Sequence, residues 1–198
     1  MDSNPRGFCL IVNNKNFGCT SRNRDWSEID EKQLEKLFKD DLLFTVSVYR
    51  DLRREEMLDL AIQFSRKDHS RCDAFVFIIM SHGGKWDTVC GVDDKSIEIE
   101  ELRSQFTPTK CPSLEKKPKL FFIQACRGES EERLSSNRSD ASSDATRGLT
   151  DSTLPRSVCP EQTDFLLSYA TVPGYKAYRI PKIGSPFIQV GTFILQLT

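Results

Sequence analysis

Two short apolar runs, each leading to a reactive side chain, constrain the fold of this chain more than any other feature. Residues 74–80 read Ala-Phe-Val-Phe-Ile-Ile-Met and lead to His82, and residues 119–125 read Lys-Leu-Phe-Phe-Ile-Gln-Ala and lead to Cys126. Runs of this length, rich in Phe and Ile, are typical of strands buried on both faces of a parallel sheet. Because ligands of open α/β sheets sit beyond the carboxyl ends of the strands, we expect the two side chains to converge on one crevice.

The rest of the chain alternates predicted strands and helices. Further strands are predicted at residues 8–12, 45–49 and 164–171, amphipathic helices at 26–39 and 52–67, and a small hairpin followed by a short helix over 86–106. This alternation predicts an α/β protein with a mostly parallel sheet flanked by helices on both faces, a three-layer sandwich.

Composition narrows the classes of function. The 198 residues carry 28 Lys and Arg against 29 Asp and Glu, well interleaved, so neither nucleic acid nor a membrane is predicted as a partner. No apolar stretch approaches the roughly 18 residues that span a bilayer, and no signal pattern opens the chain, so a cytoplasmic location is expected. The seven cysteines include no Cys-x-x-Cys pair, which indicates a reducing compartment and predicts no structural metal and no cofactor.

The cysteine and histidine at the ends of the runs predict nucleophilic catalysis. A free cysteine is only a few per cent thiolate at neutral pH and needs a base or a positive field, and His82 is one of only two histidines. The other, His69, is interpreted as a solvated loop or capping residue. Gly83 and Cys126 offer backbone N–H groups for an oxyanion hole, although Gly83-Gly84 is also consistent with an ordinary turn.

The segment Gln-Ala-Cys-Arg-Gly at residues 124–128 resembles the cysteine signature of the caspases, in which a histidine lies about 50 residues upstream. Here the separation between His82 and Cys126 is about 44 residues, in agreement with that spacing. Other segments are similar to caspase segments in the same order: residues 6–14, 81–83, 91–93, 117–124 and 168–175. The resemblance extends to about Gln189 and implies a caspase-like fold.

The resemblance implies a role for each residue that matches the family's motifs. Cys126 would be the nucleophile and His82 the base and acid, with the N–H groups of Gly83 and Cys126 as the oxyanion hole. The backbone carbonyl of Thr20 would orient the imidazole.

Caspases cleave after aspartate, which defines the substrates and the chemistry of the pocket. A carboxylate removed from water needs charge-assisted partners, above all the fork of arginine. The matching pocket residues are Arg22, Gln124, Arg179 and Ser185. The implied partners are protein substrates with Asp at the cleaved position, and a caspase-like dimer partner.

Three segments are expected along the chain. Residues 1–127 resemble the caspase large subunit with the catalytic His and Cys, 128–163 form a polar intersubunit linker, and 164–198 resemble a truncated small subunit. Asp140, Asp144 and Asp151 each precede a small residue and are candidate processing sites of a zymogen. The alternative is the ordinary composition of a polar linker.

The chain also departs from the family pattern. Tyr178 stands where many relatives have Trp, and Lys176 and Pro186 stand where an aromatic residue is common, so the preference for residues upstream of aspartate is not carried over. Caspases continue beyond the point where this sequence stops, so the small-subunit part is expected to be incomplete. The apolar tail, residues 190–198, is predicted to be an exposed, β-prone segment unless it docks on the core.

The leading hypothesis is an aspartate-directed cysteine endopeptidase, made as a zymogen, processed in its linker and acting in apoptosis. The alternative is a catalytically incompetent, truncated caspase-like isoform that regulates or decoys a full-length caspase. A third possibility, an α/β binding module with an incidental Cys and His, requires too many coincidences among the matching segments.

Overall fold

Five parallel strands form the centre of the protein. The computed structural model describes residues 3–131 and 162–196. Within them the strands are β1 (Gly7–Asn13), β2 (Thr45–Arg50), β3 (Ala74–Met80), β4 (Thr88–Cys90), β5 (Ser96–Glu98), β6 (Lys119–Gln124) and β7 (Phe165–Tyr169). The five-stranded sheet has the order β2-β1-β3-β6-β7 with every pairing parallel, while β4 and β5 form a separate antiparallel hairpin.

Helices cover both faces of the sheet. They are α1 (Ser27–Lys36), which continues as a π-helical turn over Leu37–Asp41, α2 (Arg54–Ser65), α3 (Ile99–Arg103) and α4 (Pro186–Gln196). Side chains of α2 and α3 share one core cluster with one face of the sheet, and side chains of α1 and α4 share a second cluster with the other face. The predicted three-layer α/β architecture is therefore confirmed.

Strand β3 explains why the sheet is buried on both sides. All seven of its residues are buried, and successive side chains point to opposite faces. Phe75 and Phe77 lie in the cluster with α2 and α3, whereas Val76 and Ile78 lie in the cluster with α1 and α4. A continuous apolar run is what a central parallel strand requires, because neither face meets water.

The C-terminal segment is a helix that docks on the core, so the condition for an exposed, β-prone tail is not met. Pro186 is the first residue of α4, where the fixed proline φ favours helix and the missing N–H costs nothing. Ile188 and Thr192, one helical turn apart, are buried, and Leu195 packs against the cluster with α1. The apolar side chains that a strand would expose are thus partly covered by docking of one helical face.

His69 is fully buried rather than solvated. Its Nε2 lies 2.8 Å from the carbonyl oxygen of Phe64 in the last turn of α2, so the capping interpretation holds and the solvated one does not. Burial lowers the pKa of His69, and the ring packs edge-on against Phe8 and Phe75.

Three predicted positions lie outside the part of the chain that the structure describes. These are the candidate processing sites Asp140, Asp144 and Asp151, and the division into segments 1–127, 128–163 and 164–198 likewise stays a prediction. In the described ranges, no helix is long and apolar enough to cross a membrane.

Candidate active site

The register of the sheet brings His82 and Cys126 to one cleft. Met80 at the end of β3 pairs with Gln124 at the end of β6, so the residues that follow leave the sheet at the same level. The N–H of Ser81 donates to the carbonyl of Gln124 at 3.2 Å and keeps the two chain segments together beyond the edge. The resulting cleft has a volume of about 190 Å³ and is lined by Arg24, Ser81, His82, Gln124, Ala125, Cys126, Ala177 and Arg179.

The imidazole of His82 is held by a backbone carbonyl. Its Nε2 lies 2.6 Å from the carbonyl oxygen of Arg22, and its ring packs 4.7 Å from the ring centroid of Phe17. A carbonyl can only accept, so Nε2 carries the hydrogen and Nδ1 of the neutral ring has a free lone pair. The expected carbonyl, that of Thr20, instead accepts the N–H of Asn23 at 3.0 Å within the 3-10 turn, so this assignment is corrected to Arg22.

The environment of His82 disfavours its protonated form. Burial is the largest cause of a lowered pKa, and the positive charges of Arg24, Arg22 and Arg179 lower it further, while the hydrogen bond to the Arg22 carbonyl acts in the opposite direction. The imidazole is therefore neutral at pH 7, the state in which it can accept a proton.

The sulfur of Cys126 faces a backbone segment from the other half of the chain. The N–H of Ala177 donates to Sγ at 3.4 Å, and Sγ lies 3.9 Å from the carbonyl of the same residue. This segment is held by main-chain bonds: Arg127 N–H donates to the Tyr175 carbonyl at 2.9 Å and Gly174 N–H to the Arg127 carbonyl at 2.8 Å. A ladder of backbone bonds thus places residue 177 against the thiol.

Gly83 lies where a side chain does not fit. A Cβ there would overlap the carbonyl oxygen of Cys126 and would lie 2.8 Å from the Thr88 carbonyl oxygen. Gly83 pairs with Val89 in an antiparallel bridge whose hydrogen bonds are made by the flanking residues. Cys90 N–H donates to the His82 carbonyl at 2.9 Å, and Gly84 N–H donates to the Thr88 carbonyl at 3.2 Å. In such an antiparallel pair the N–H of the central residue points away from the partner strand, so that of Gly83 is directed away from the hairpin.

Two guanidinium groups give the cleft a positive field. Arg24 is fully buried, and its Nη1 donates to the Asn14 carbonyl at 2.9 Å, while Nε of Arg179 donates to the Asp25 carbonyl at 2.8 Å. Burial lowers the pKa of Arg24 to about 9 and also lowers that of Arg179. In the described part of the chain neither forms an ion pair, and a buried cation without a counter-ion favours binding of an anion.

Two of the predicted pocket residues do not line the cleft. The Arg22 side chain points outward, pairs with Asp94 and lies over the Phe17 ring, because the 3-10 turn aims its carbonyl at His82. Ser185 is fully buried and bonds Asp30 through its N–H and its hydroxyl. The other two, Gln124 and Arg179, line the cleft as expected.

Arg24 and Ala177 were missed by reasoning from the sequence. Arg22-Asn-Arg24 offers two arginines two residues apart, and only the turn decides which enters the interior. Ala177 contacts the Cys126 sulfur through its backbone N–H, a contact that the residue type does not predict. Gln124 adds an amide whose Nε2 donates to the Tyr178 carbonyl at 3.3 Å, and whose buried Oε1 has no partner among the described residues.

Within residues 3–131 and 162–196, no group of three His, Cys, Asp or Glu side chains is placed to hold a metal ion. The groups that meet are a thiol, an imidazole, an amide and two guanidinium groups. The fold and the cleft define an α/β protein that presents a thiol and an imidazole beside a cationic pocket.

The chain belongs to the caspase family: the caspase domain family matches residues 6–192. It is 38% identical over 199 residues to caspase-8 of Rattus norvegicus, covering 96% of this chain and 41% of that protein. It is 38% identical over 201 residues to caspase-3 of Mesocricetus auratus, covering 100% and 68%, and 40% identical over 192 residues to caspase-10 of Homo sapiens, covering 96% and 35%. The chain thus spans less than half the length of these caspase-8 and caspase-10 relatives.

Proposed function

We propose that this chain is a cysteine endopeptidase that cleaves proteins after aspartate. One observation carries the proposal: a thiol, an imidazole and two guanidinium groups without ion-pair partners in the described ranges line a single cleft. Thiol and imidazole supply nucleophile and base, and the guanidinium groups supply the charge that a substrate carboxylate needs.

In this mechanism the proton moves between Cys126 and His82. Nδ1 of His82 accepts the thiol proton as Sγ attacks the substrate carbonyl carbon, while the N–H groups of Gly83 and Cys126 donate to the oxyanion. The imidazolium then gives its proton to the leaving amine, which departs as the C–N bond breaks and leaves a thioester on Cys126. Water, deprotonated by the same ring, hydrolyses the thioester and restores the thiol. The Arg22 carbonyl keeps Nε2 protonated throughout.

The pocket would select an acidic side chain by charge. A carboxylate between Arg24 and Arg179 would gain charge-assisted hydrogen bonds, which are roughly twice as strong as bonds between neutral groups. The amide of Gln124 lines the same cleft.

The biological role of the chain is proposed from its family membership. As part of the proposal, the chain acts in apoptosis, in the cytoplasm, and is made as a zymogen cleaved in the linker at Asp140, Asp144 or Asp151. What supports this is the family membership and the sequence of residues 128–163.

The decisive experiment is intact-mass detection of covalent labelling by an aspartyl electrophilic inhibitor in reducing buffer. Wild type is expected to gain one adduct that maps to Cys126, and an analogue with a neutral side chain is expected to label far more slowly. Cys126→Ala is the control that must lose the adduct. Equal labelling by both reagents would contradict the aspartate pocket.

A regulator or decoy of a full-length caspase is the second candidate function, favoured by one surface. Val190, Phe193 and Ile194 on the outer face of α4 are 56%, 62% and 54% exposed, an apolar area suited to another protein. Folded wild-type protein that acquires no adduct at Cys126 would favour this function over the enzyme.

A further inference from the structure

Arg179 stands at the entrance of a tight turn that joins the cleft to α4. Ile180 N–H donates to the Gly184 carbonyl at 2.8 Å, and Gly184 N–H donates back to the Ile180 carbonyl at 3.0 Å. Ser185 follows directly and its carbonyl accepts the N–H of Gln189, one turn into α4. The position of Arg179 therefore depends on what holds this turn to the rest of the protein.

Both ends of the turn are tied to the start of α1. At one end, Arg179 Nε donates to the Asp25 carbonyl at 2.8 Å. At the other, Ser185 N–H donates to both carboxylate oxygens of Asp30 at 2.9 and 3.0 Å, the Ser185 hydroxyl donates to Oδ2, and Gln189 Nε2 donates to Oδ1 at 3.0 Å. These contacts join residues about 155 positions apart in the chain.

Asp30 is an unusual group to find at this place, since it is an acid with no exposed surface. A buried carboxylate is costly unless donors satisfy it, and its three donors come from Ser185 and Gln189. It lies in the first turn of α1, where the helix dipole favours negative charge. Gly184 has φ +105°, and a Cβ there would overlap Asp30 Oδ1, so the turn approaches the carboxylate as closely as the backbone permits.

We propose that Asp30 is a positioning residue for Arg179: it holds the turn at residues 180–185 against α1 and thereby fixes this guanidinium in the cleft. The proposal deepens the proposed function and rests on it where it concerns aspartate selectivity. The negative charge of Asp30 also acts on both cleft arginines, opposing the effect of burial on their pKa values.

Asp30 could instead act only as a counter-charge to the two guanidinium groups, and its removal would then change substrate binding in the opposite direction. If Asp30 only neutralised the two guanidinium groups, its removal would strengthen the field and tighten binding of a carboxylate. If it positions Arg179, its removal loosens the turn and weakens binding. The sign of the change in KM separates the two roles.

The test compares Asp30→Asn with Asp59→Asn, which removes the same charge from an exposed site on α2 across the sheet. For a peptide with Asp at the cleaved position, Asp30→Asn is expected to raise KM at least tenfold with kcat changed less than threefold. Ser185→Ala, which keeps the carboxylate but removes one donor, is expected to raise KM by a smaller factor and serves if Asp30→Asn does not fold. Asp59→Asn is expected to match wild type.

A second readout is independent of peptidase activity. Hydrogen exchange of the amides at residues 180 and 182–185 is expected to be at least tenfold faster in Asp30→Asn than in wild type, with exchange in β3 unchanged. A lower or unchanged KM, or unchanged exchange in the turn, would overturn the proposal. Alkylation of Cys126 by iodoacetamide, a neutral reagent, separates the failures: if wild type alkylates but cleaves nothing after aspartate, the proposed function fails, and the exchange data alone decide the role of Asp30.

Discussion

Arg24 brings a positive charge into the interior, where the groups that accept its hydrogen bonds are neutral. Its guanidinium bonds the Asn14 carbonyl, with the Asn13 side-chain oxygen farther away at 3.4 Å. Arg22, two residues earlier, shares its charge with Asp94 at the surface, where the two side chains are 40% and 46% exposed. The first arrangement leaves a charge for a ligand to satisfy, whereas the second is already satisfied by protein and water.

Replacing these arginines one at a time should therefore have unequal effects. Arg24→Gln is expected to slow labelling of Cys126 by an aspartyl electrophile roughly 30-fold or more, because a buried charge pair loses one partner. The factor corresponds to a loss of about 2 to 5 kcal/mol of interaction free energy with the reagent. Arg22→Gln keeps the carbonyl that holds His82 and loses only a surface pair, so a change below about 1 kcal/mol is expected. Melting temperatures of both variants control for folding. A larger loss for Arg22→Gln would mean that Arg22 enters the pocket when substrate binds.

His82 sets the pH at which the site works. Burial and three neighbouring guanidinium groups lower its pKa, so the neutral ring persists below the ordinary value near 6.5. The base form is present above the folded-state pKa and is lost as the pH falls through it. The rate of Cys126 labelling is therefore expected to hold down to about pH 6.5 and to fall only below it. The measurement is a labelling rate across pH 4.5 to 8 in wild type and His82→Asn, about the range in which histidine titrates. An acid limb centred above 6.5 would contradict this account of the ring.

The cleft depends on two loops that are held to each other by backbone hydrogen bonds. Residues 126–130 and 174–177 exchange a set of main-chain bonds, and Arg127 adds a 2.6 Å contact to Asp87 and a position over the Tyr169 ring. Gly128 permits this approach, since a Cβ there would lie 2.6 Å from the Cα of Gly174 and overlap its carbonyl. The loops cannot separate without removing Ala177 from the sulfur of Cys126.

Gly128→Ala is expected to disturb the site and the fold together. Backbone cannot move aside as a flexible side chain can, so the substitution should lower the unfolding free energy by about 1 to 3 kcal/mol and slow labelling of Cys126. Gly18→Ala is the matched control, because a Cβ at Gly18 meets nothing within 4 Å. Urea unfolding and labelling rates measured on both variants provide the check. Equal stability of the two variants would show that the loops are free to shift.

The sequence predicts the central sheet well and the loops and helices at its edge less well. Strands β3 and β6 can be predicted from the sequence because burial on both faces requires a continuous apolar run. The carboxyl ends of these two strands then predict where His82 and Cys126 lie. The type of a residue does not reveal what its backbone carbonyl contacts. The sequence therefore predicts Thr20 as the residue that orients the imidazole, whereas the structure shows the carbonyl of Arg22 in that role. The partner of a side chain far along the chain is equally invisible, so Ser185 was assigned to the pocket although it bonds Asp30.

Helix α4 shows how the end of the described chain contributes to its core. It docks on α1 and the sheet through Ile188, which is 3% exposed, while Val190, two residues on, is 56% exposed. Sequence alone does not distinguish these two β-branched residues, because both stand in an apolar run that reads equally well as a strand. Only the helical geometry turns one inward and the other outward.

Truncating these two side chains tests whether α4 docks as a helix in solution. Ile188→Ala is expected to lower the unfolding free energy by about 2 to 5 kcal/mol, since it removes buried methyl groups and leaves a cavity between α4 and α1. Val190→Ala removes exposed atoms and improves helix propensity, so a change within about 0.5 kcal/mol is expected. Urea unfolding followed by circular dichroism measures both. Because Ser185 at the start of α4 bonds Asp30, Ile188→Ala should also slow aspartyl labelling of Cys126, whereas equal and small losses for both variants would mean that the helix is not docked.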